Sequence, residues 1–406
     1  MTDTGEWRRV RAYLQEHRHE LSASAAACYP AADRAEGTPL LTRPSWLPAA
    51  PLALESVGLT WVAPGTPAPP GGRPGRPAPG DSGPGDARGA PGPGRAGLDA
   101  AAWDAAVTAV LPSRPDGRPY GCYSAAVADL AAPAIFENRR TYRVAGADLA
   151  GAGRGGAGSG GPQGSLAFAA GSFFQGYDVG PALAHEHAAA VLGMLGREDL
   201  RALAGDPREL ARRPANLAIS TLTLRADGAA ATFPLHWRDP AKVGHAGGLL
   251  QVVPVGIFQA ADDGPASQAQ DFDLWRGMTR EFAEELLGTP EEYGPAGSAV
   301  DYGAWPFARQ LNAARDGGAV RPWVLGLGVD PLTLATDLLT TVVIDAPVFD
   351  ELFGAMVSHN AEGRIRPGLP FTAETISRLT TREPMQAAGA ALLRLAWRHR
   401  AVLLPS

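Results

Sequence analysis

Lysine is nearly missing from this chain. Lys242 is the only one among 36 basic residues, and 42 acidic residues leave a net charge of −6. Bulk binding of nucleic acid needs concentrated positive charge to displace counterions, so this balance argues against it. Cysteine is almost as scarce. Cys28 and Cys122 stand 94 positions apart with no CxxC or Cys/His pattern, which leaves structural zinc unsupported, and a chain of this size needs no disulfide framework. No stretch approaches 18 uninterrupted apolar residues, so no membrane-spanning helix is expected. The opening MTDTGEWRRV has no apolar run behind its charges, so no secretory signal is expected and the reading is cytoplasmic.

Present in excess are Gly (50) and Pro (37), in a chain of 406 residues that is still 45% hydrophobic with nine Trp. A wholly disordered chain would lack that apolar material. The excess is local instead. Residues 64–97 contain 21 Gly or Pro in 34 and no apolar side chain larger than Ala. Such a segment buries too little to offset its ordering entropy and reads as a disordered linker. A second tract, 151–164 (GAGRGGAGSGGPQG), falls between two strand candidates, 141–146 and 165–170, and reads as an expanded hairpin loop. These tracts divide the chain into a helix-and-strand segment (1–63), the linker (64–97), an α+β segment (98–213), a denser region (214–350) and a C-terminal helical segment (351–406).

In the first segment Trp7, Val10, Leu14 and Leu21 recur at helical spacing, with Arg8, Arg9, Arg11 and Arg18 on the other side. It reads as a docking helix with a solvated Arg face; a nucleic-acid contact is the weaker alternative, because no second helix and turn of suitable length is expected to follow. The Arg-rich stretch Arg394–Arg400 has the same plain reading. In 98–213, helices are expected at 99–111 and 124–130. The run His185-Glu186-His187 sits in a further helix. Its two histidines are at i and i+2, on opposite sides, whereas a helical zinc pair needs i and i+4. A mixed core-and-surface helix is the reading.

The densest signal follows. Leu217–Leu224 and Thr232–Trp237 flank Ala226-Asp227-Gly228, a hairpin with an Asp-Gly turn. Then come an apolar run at 249–258, a loop at 260–270, and a helix over 271–287 with Leu274, Met278, Phe282 and Leu286 four apart. Residues 337–345 read as a buried strand, 353–365 as a helix, 370–379 as a helix capped by Thr372, and 384–404 as the last helix.

Glu281, Glu284 and Glu285 share one edge of the 271–287 helix, and only Arg280 is near enough to relieve their repulsion. Clustered carboxylates of this kind suit a divalent cation. Mg²⁺ takes oxygen ligands and is typically held by a few carboxylates plus substrate phosphates.

The run REFAEELLG resembles the second half of the Nudix box, G-x5-E-x7-R-E-U-x-E-E-x-G-U, where U is a bulky apolar residue. Arg280, Glu281, Phe282, Glu284 and Glu285 fit, and Gly288 arrives one residue late. The first half departs from the pattern: Phe272, flanked by Asp271 and Asp273, stands where Glu is required, and Ala266 where Gly is. Gly256 is the candidate displaced glycine. The resemblance covers about 215–350. It implies an α+β fold (an α/β/α sandwich), a mixed sheet flanked by helices, here with additional N- and C-terminal helical segments. It also implies that Glu281, Glu284 and Glu285 hold Mg²⁺ or Mn²⁺ and that Arg280 orients a neighbouring Glu. The expected ligand is a nucleotide or nucleoside diphosphate derivative, with hydrolysis of its pyrophosphate bond. Arg238, Lys242 and His245 are the candidate phosphate contacts, and Asp301, Asp337 and Asp345 the candidate further acids. The alternative is a non-catalytic Nudix-like sensor, transcriptional regulator or interaction protein. A homodimer is compatible with either.

Overall fold

The computed structural model describes residues 3–62, 98–133, 136–151, 161–239, 247–290, 298–360 and 363–404. The linker 64–97, the middle of the glycine tract (152–160), Lys242 and His245 lie outside the described residues.

In chain order the strands are β1 (Leu52–Ala53), β2 (Val57–Trp61), β3 (Arg140–Asp148), β4 (Gly164–Ser172), β5 (Leu217–Asp227), β6 (Ala230–Arg238), β7 (Leu250–Gln251), β8 (Val255–Ile257), β9 (Val320–Val329), β10 (Thr336–Asp345) and β11 (Gly363–Pro370). They form two sheets. In the larger, the order is β1-β9-β10-β5-β6-β11, with β7 added to β6 and β8 to β5; the smaller is β2-β4-β3. Each is mixed, because β10 runs parallel to β5 and β2 parallel to β4, whereas the other pairs are antiparallel.

Alternation along the central strands sends side chains to two cores. Leu217 and Ile219 of β5 join Leu338 and Val342 of β10 on one face, with Met278 and Phe282 of the acidic helix. Leu222 and Leu224 join Phe233, Leu235 and Val343 on the other, covered by the apolar helix Ala387–Arg398. Helices therefore flank both faces of the mixed sheet, and the α+β class expected from the sequence holds.

The hairpin forms as the Asp-Gly signal requires, with Gly228 at φ +56°, a left-handed conformation that a side chain disfavours. However, β5 and β6 stay paired only from Arg225↔Thr232 to Asp227↔Ala230. Beyond this they splay, and residues 250–257 fill the split: β7 pairs with β6 at His236↔Gln251 and β8 with β5 at Ile219↔Gly256. The apolar run 249–258 is thus two short strands rather than one. This wedge carries Val255 and Gly256 to the acidic helix.

Elsewhere several expectations change. The N-terminal helix is two, Thr4–Glu16 and Arg18–Ala27, broken at His17, so a second helix does follow the first, without an intervening turn of several residues. Its Arg face is only half solvated: Arg8 and Arg9 are exposed, Arg11 donates to the Tyr123 hydroxyl, and Arg18 is buried. The C-terminal arginines are engaged too. Arg394 donates to the Glu36 carbonyl and Arg398 pairs with the Glu36 carboxylate, tying the helix Ala387–Arg398 to the N-terminal segment; the expected 384–404 helix is two, with Arg400–Leu403 following. The loop 260–270 contains a short helix, Pro265–Gln270. Among the described residues of 353–365 the expected helix is missing; one ends there (Ala346–Phe353), and Gly363–Arg366 alternate buried and exposed as the start of β11. That strand gives the C-terminal segment a place on the edge of the main sheet. Thr372 caps its helix as expected, accepting from the Thr375 amide.

The helix Gly180–Val191 is not half exposed. His185, Glu186 and His187 are all buried, because Trp7 stacks on His185 from one side and the helix Asp199–Ala204 packs on the other. Each has its own partner: Tyr123 for His185, the Leu200 and Arg201 amides for Glu186, and Glu198 for His187.

Candidate functional site

The acidic helix begins at Leu274, one residue after Asp273, whose carboxylate caps it by accepting from the Arg276 amide. Gly277 faces Phe258 and Ile219, where an added Cβ would make ordinary contacts at 3.6 and 3.7 Å. Leu274, Met278, Phe282 and Leu286 are all buried, as their spacing demands. After Glu281 the helix widens into a π-helical turn, Phe282–Leu286, which holds Glu284 and Glu285. A π turn accommodates one extra residue in an α-helix and often marks functional sites. That extra residue falls where the sequence shows Gly288 one position late. Gly288 takes φ +68° at the helix end.

Glu281 lies over Gly256. A Cβ built on that glycine would fall 1.8 Å from the Glu281 carboxyl carbon, so only glycine admits the carboxylate there. Glu285 reaches the adjoining residue, its Oε1 accepting from the Val255 amide at 2.9 Å. Two of the three acids therefore meet on the Val255–Gly256 backbone. Glu284, between them in sequence, is half buried.

Arg280 is bonded to Tyr302 and to the 259–271 segment, with Glu281 adding to the negative charge around it. It is 5% exposed and 3.1 Å from Asp271, which is itself fully enclosed. The Tyr302 hydroxyl joins them, accepting from Arg280 and donating to Asp271 at 2.9 Å. Asp271 also accepts from the Ala261 amide, and Arg280 donates to the Gln259 carbonyl at 2.6 Å. Burial opposes the guanidinium charge, but Tyr302 and Asp271 more than offset it and hold its pKa above the ordinary value. Arg280 thus fixes the acidic helix to the 259–271 segment. Asp271, beside the position where the box requires Glu, is its partner; Asp273 is a cap.

Behind Glu285 lies a residue that the sequence did not mark. His236 of β6 is 1% exposed, and its Nδ1 comes within 3.3 Å of Glu285 Oε2 without hydrogen-bond alignment. Both ring nitrogens, Glu285 Oε2 and Gln251 Oε1 are buried without a hydrogen-bond partner among the described residues. Gln251 is His236's neighbour across the β6–β7 ladder. The only sequence signal was a polar residue at an inward position of the alternating TFPLHW. Arg238, two residues on and so on the same face of β6, is also buried. Of the three expected phosphate contacts it is the one the described residues place.

The expected further acids are elsewhere. Asp301 accepts from the Gly303 and Ala304 amides, and Asp345 pairs with Arg321. Asp337 faces away from the acidic helix, accepting from Ser220 at 2.8 Å. Burial pushes its carboxyl up to about 7, against the pull of that bond, with Asp330 adding to the rise. A carboxyl raised this way favours the fold below its unfolded pKa, and that contribution is lost as pH rises through 7. Wild type is therefore expected to lose on the order of 3–4 kcal/mol between pH 4 and 7 relative to Asp337→Asn, read from urea unfolding at each pH. Parallel profiles for the two proteins would contradict it.

Among the described residues, no group of three or more His, Cys, Asp or Glu side chains could hold a metal ion by itself. The arrangement nonetheless fits Mg²⁺ or Mn²⁺ bound by one or two carboxylates, with waters and ligand phosphates completing the shell. Glu281 and Glu285 would supply those carboxylates at a backbone that a side chain would block, and one oxygen of Glu285 has no hydrogen-bond partner among the described residues. No protein-family model matches the chain, and comparison with curated proteins finds no similar sequence.

Proposed function

We propose that residues 214–350 form a Nudix-like domain that binds a nucleotide or nucleoside-diphosphate-type ligand together with Mg²⁺ or Mn²⁺ and hydrolyses its pyrophosphate bond. The observation that carries this reading is the meeting of Glu281 and Glu285 on the Val255–Gly256 backbone. Bound there, the cation would neutralise charge on the phosphates and help activate water. Glu281 and Glu285 hold it, with Glu284 on the same helix edge. Arg238 offers a positive group from the same sheet region, and Arg280 keeps the helix in place from below. The three carboxylates would otherwise repel one another along that edge.

A second reading, ligand binding without hydrolysis, is favoured by one observation: Glu285 is buried and one of its oxygens is committed to the Val255 amide. Turnover separates the two. A panel of nucleoside diphosphate derivatives with Mg²⁺ or Mn²⁺ is expected to be cleaved by wild type and at least about a hundredfold more slowly by Glu284→Gln, the scale of a lost acid–base group. No turnover of any compound, with ligand-dependent thermal stabilisation, would replace hydrolysis by sensing. Neither turnover nor stabilisation would refute both.

A further inference from the structure

Away from the acidic helix, a second constellation assembles from three separate elements. The helix Arg18–Ala27 brings Ser24 to the helix Gly180–Val191, where Ser24 Oγ lies 3.2 Å from Nε2 of His187. On its other side His187 places Nδ1 3.0 Å from both oxygens of Glu198. Glu198 is held in turn by Arg201, whose Nε donates to Oε2 at 2.7 Å. Arg201 is itself anchored by the Pro331 carbonyl and the Tyr29 hydroxyl.

In the neutral imidazole the carboxylate selects the tautomer. A carboxylate only accepts, so Nδ1 carries the proton and Nε2 presents its lone pair to the Ser24 hydroxyl. Burial works against the Glu198 charge, but the bonds from His187 and Arg201 outweigh it and hold the carboxyl down at about 2. His187 is 3% exposed, whereas Ser24 faces solvent. A buried base thus sits behind an accessible hydroxyl, oriented by a carboxylate that is itself oriented. This is the order of nucleophile, base and orienting acid used in covalent catalysis.

The surroundings indicate what the hydroxyl would meet. Val191 and Leu192 are two of the three large apolar side chains that stand exposed among the described residues. Val191 is four residues after His187 in the helix Gly180–Val191, so the exposed apolar pair begins one helical turn along from the base.

We propose that Ser24, His187 and Glu198 form a nucleophilic site, separate from the acidic helix, that takes acyl groups from esters with a short apolar acyl chain. The Ser24 oxygen bonds to the ester carbonyl carbon as its proton passes to His187 Nε2. The carbonyl–alkoxy bond then breaks, and the alcohol departs with that proton. Water, deprotonated by the same nitrogen, releases the acid and restores the serine. Ser24 lies inside a helix, where its own amide is used in the helical ladder and supplies no oxyanion donor. The rate therefore rests on base catalysis alone, about 10²–10⁴.

The test uses the full chain and two probes, a fluorophosphonate and p-nitrophenyl esters. One adduct per chain, mapped to Ser24, is expected, with butyrate cleaved faster than acetate. Ser24→Ala should abolish both signals. Glu198→Gln should slow both at least about tenfold, since the histidine loses the carboxylate that orients it. Circular dichroism checks that each variant is folded, and Ser24→Ala at a solvent-facing position gives a control that does not depend on core packing. No adduct on Ser24, with ester hydrolysis equal in wild type and Ser24→Ala, would reduce the constellation to a packing contact between helices and overturn the proposal. Equal rates in wild type and folded Glu198→Gln would do the same.

Discussion

Replacing Gly256 by alanine is expected to weaken binding of Mn²⁺ at least about tenfold, or ~1.4 kcal/mol, while changing stability little. The new methyl group would occupy the place of the Glu281 carboxylate, whose carbon lies 1.8 Å from the Cβ position. The displaced atoms are the far end of a flexible side chain that is half buried, so Glu281 swings aside at small cost. Gly256 is not in the left-handed region, so alanine adds no backbone strain there. What is lost is the approach of Glu281 to the backbone that Glu285 also reaches. The check is a Mn²⁺ titration beside urea unfolding. A variant that binds Mn²⁺ as wild type does would show that the carboxylates do not act at this backbone. A variant destabilised by several kcal/mol would show that Glu281 is part of the packing instead.

The largest stability effect is expected at the other end of the helix. Asp271→Ala leaves Arg280 buried without its carboxylate, and removing one partner of a buried pair typically costs about 3–5 kcal/mol. Tyr302→Phe removes one hydroxyl that both accepts from Arg280 and donates to Asp271, and is expected to cost about 1–3 kcal/mol. An apolar pair of similar volume, Asp271→Leu with Arg280→Met, should recover much of the loss, since neither charge is then stranded. Urea unfolding of the three variants measures this. A loss below about 1 kcal/mol for Asp271→Ala would mean that the pair is hydrated and the helix is held by its apolar face alone.

How much of this was legible depended on how far apart the interacting residues are. Local patterns read well: the Asp-Gly turn, the four-residue spacing of Leu274, Met278, Phe282 and Leu286, and the Thr372 cap each follow from neighbours in sequence. The glycine that comes one residue late was visible as an irregularity, but only the structure shows a π turn absorbing it. Where Pro and Gly punctuate a strand, no clear alternation marks it. VRPWVLGLGV forms β9, and its Gly326 and Gly328 leave room for Leu47 and Leu40, which approach to 2.7 and 2.3 Å of the added Cβ positions. Turn-forming residues at 354–360 hid the end of one helix and the start of β11. Long-range pairings left no local trace. Arg280 with Asp271 is nine residues apart and was near enough to suspect; His236 with Glu285 and Ser24 with His187 are 49 and 163 apart. Such meetings are made by the splay of β5 from β6 and by the docking of the N-terminal helices, neither of which any single segment encodes.

The most direct measurement is an equilibrium titration with Mn²⁺, with and without a methylene-bridged nucleoside diphosphate that resists hydrolysis. It compares wild type with the double variant Glu281→Gln, Glu285→Gln. Wild type is predicted to bind Mn²⁺ at a site that the diphosphate tightens, and the double variant, still folded, to lose both the ion and the diphosphate's effect. Identical titrations for the two proteins, or no binding by wild type at about millimolar Mn²⁺, would contradict the assignment of the acidic helix as a cation and diphosphate site.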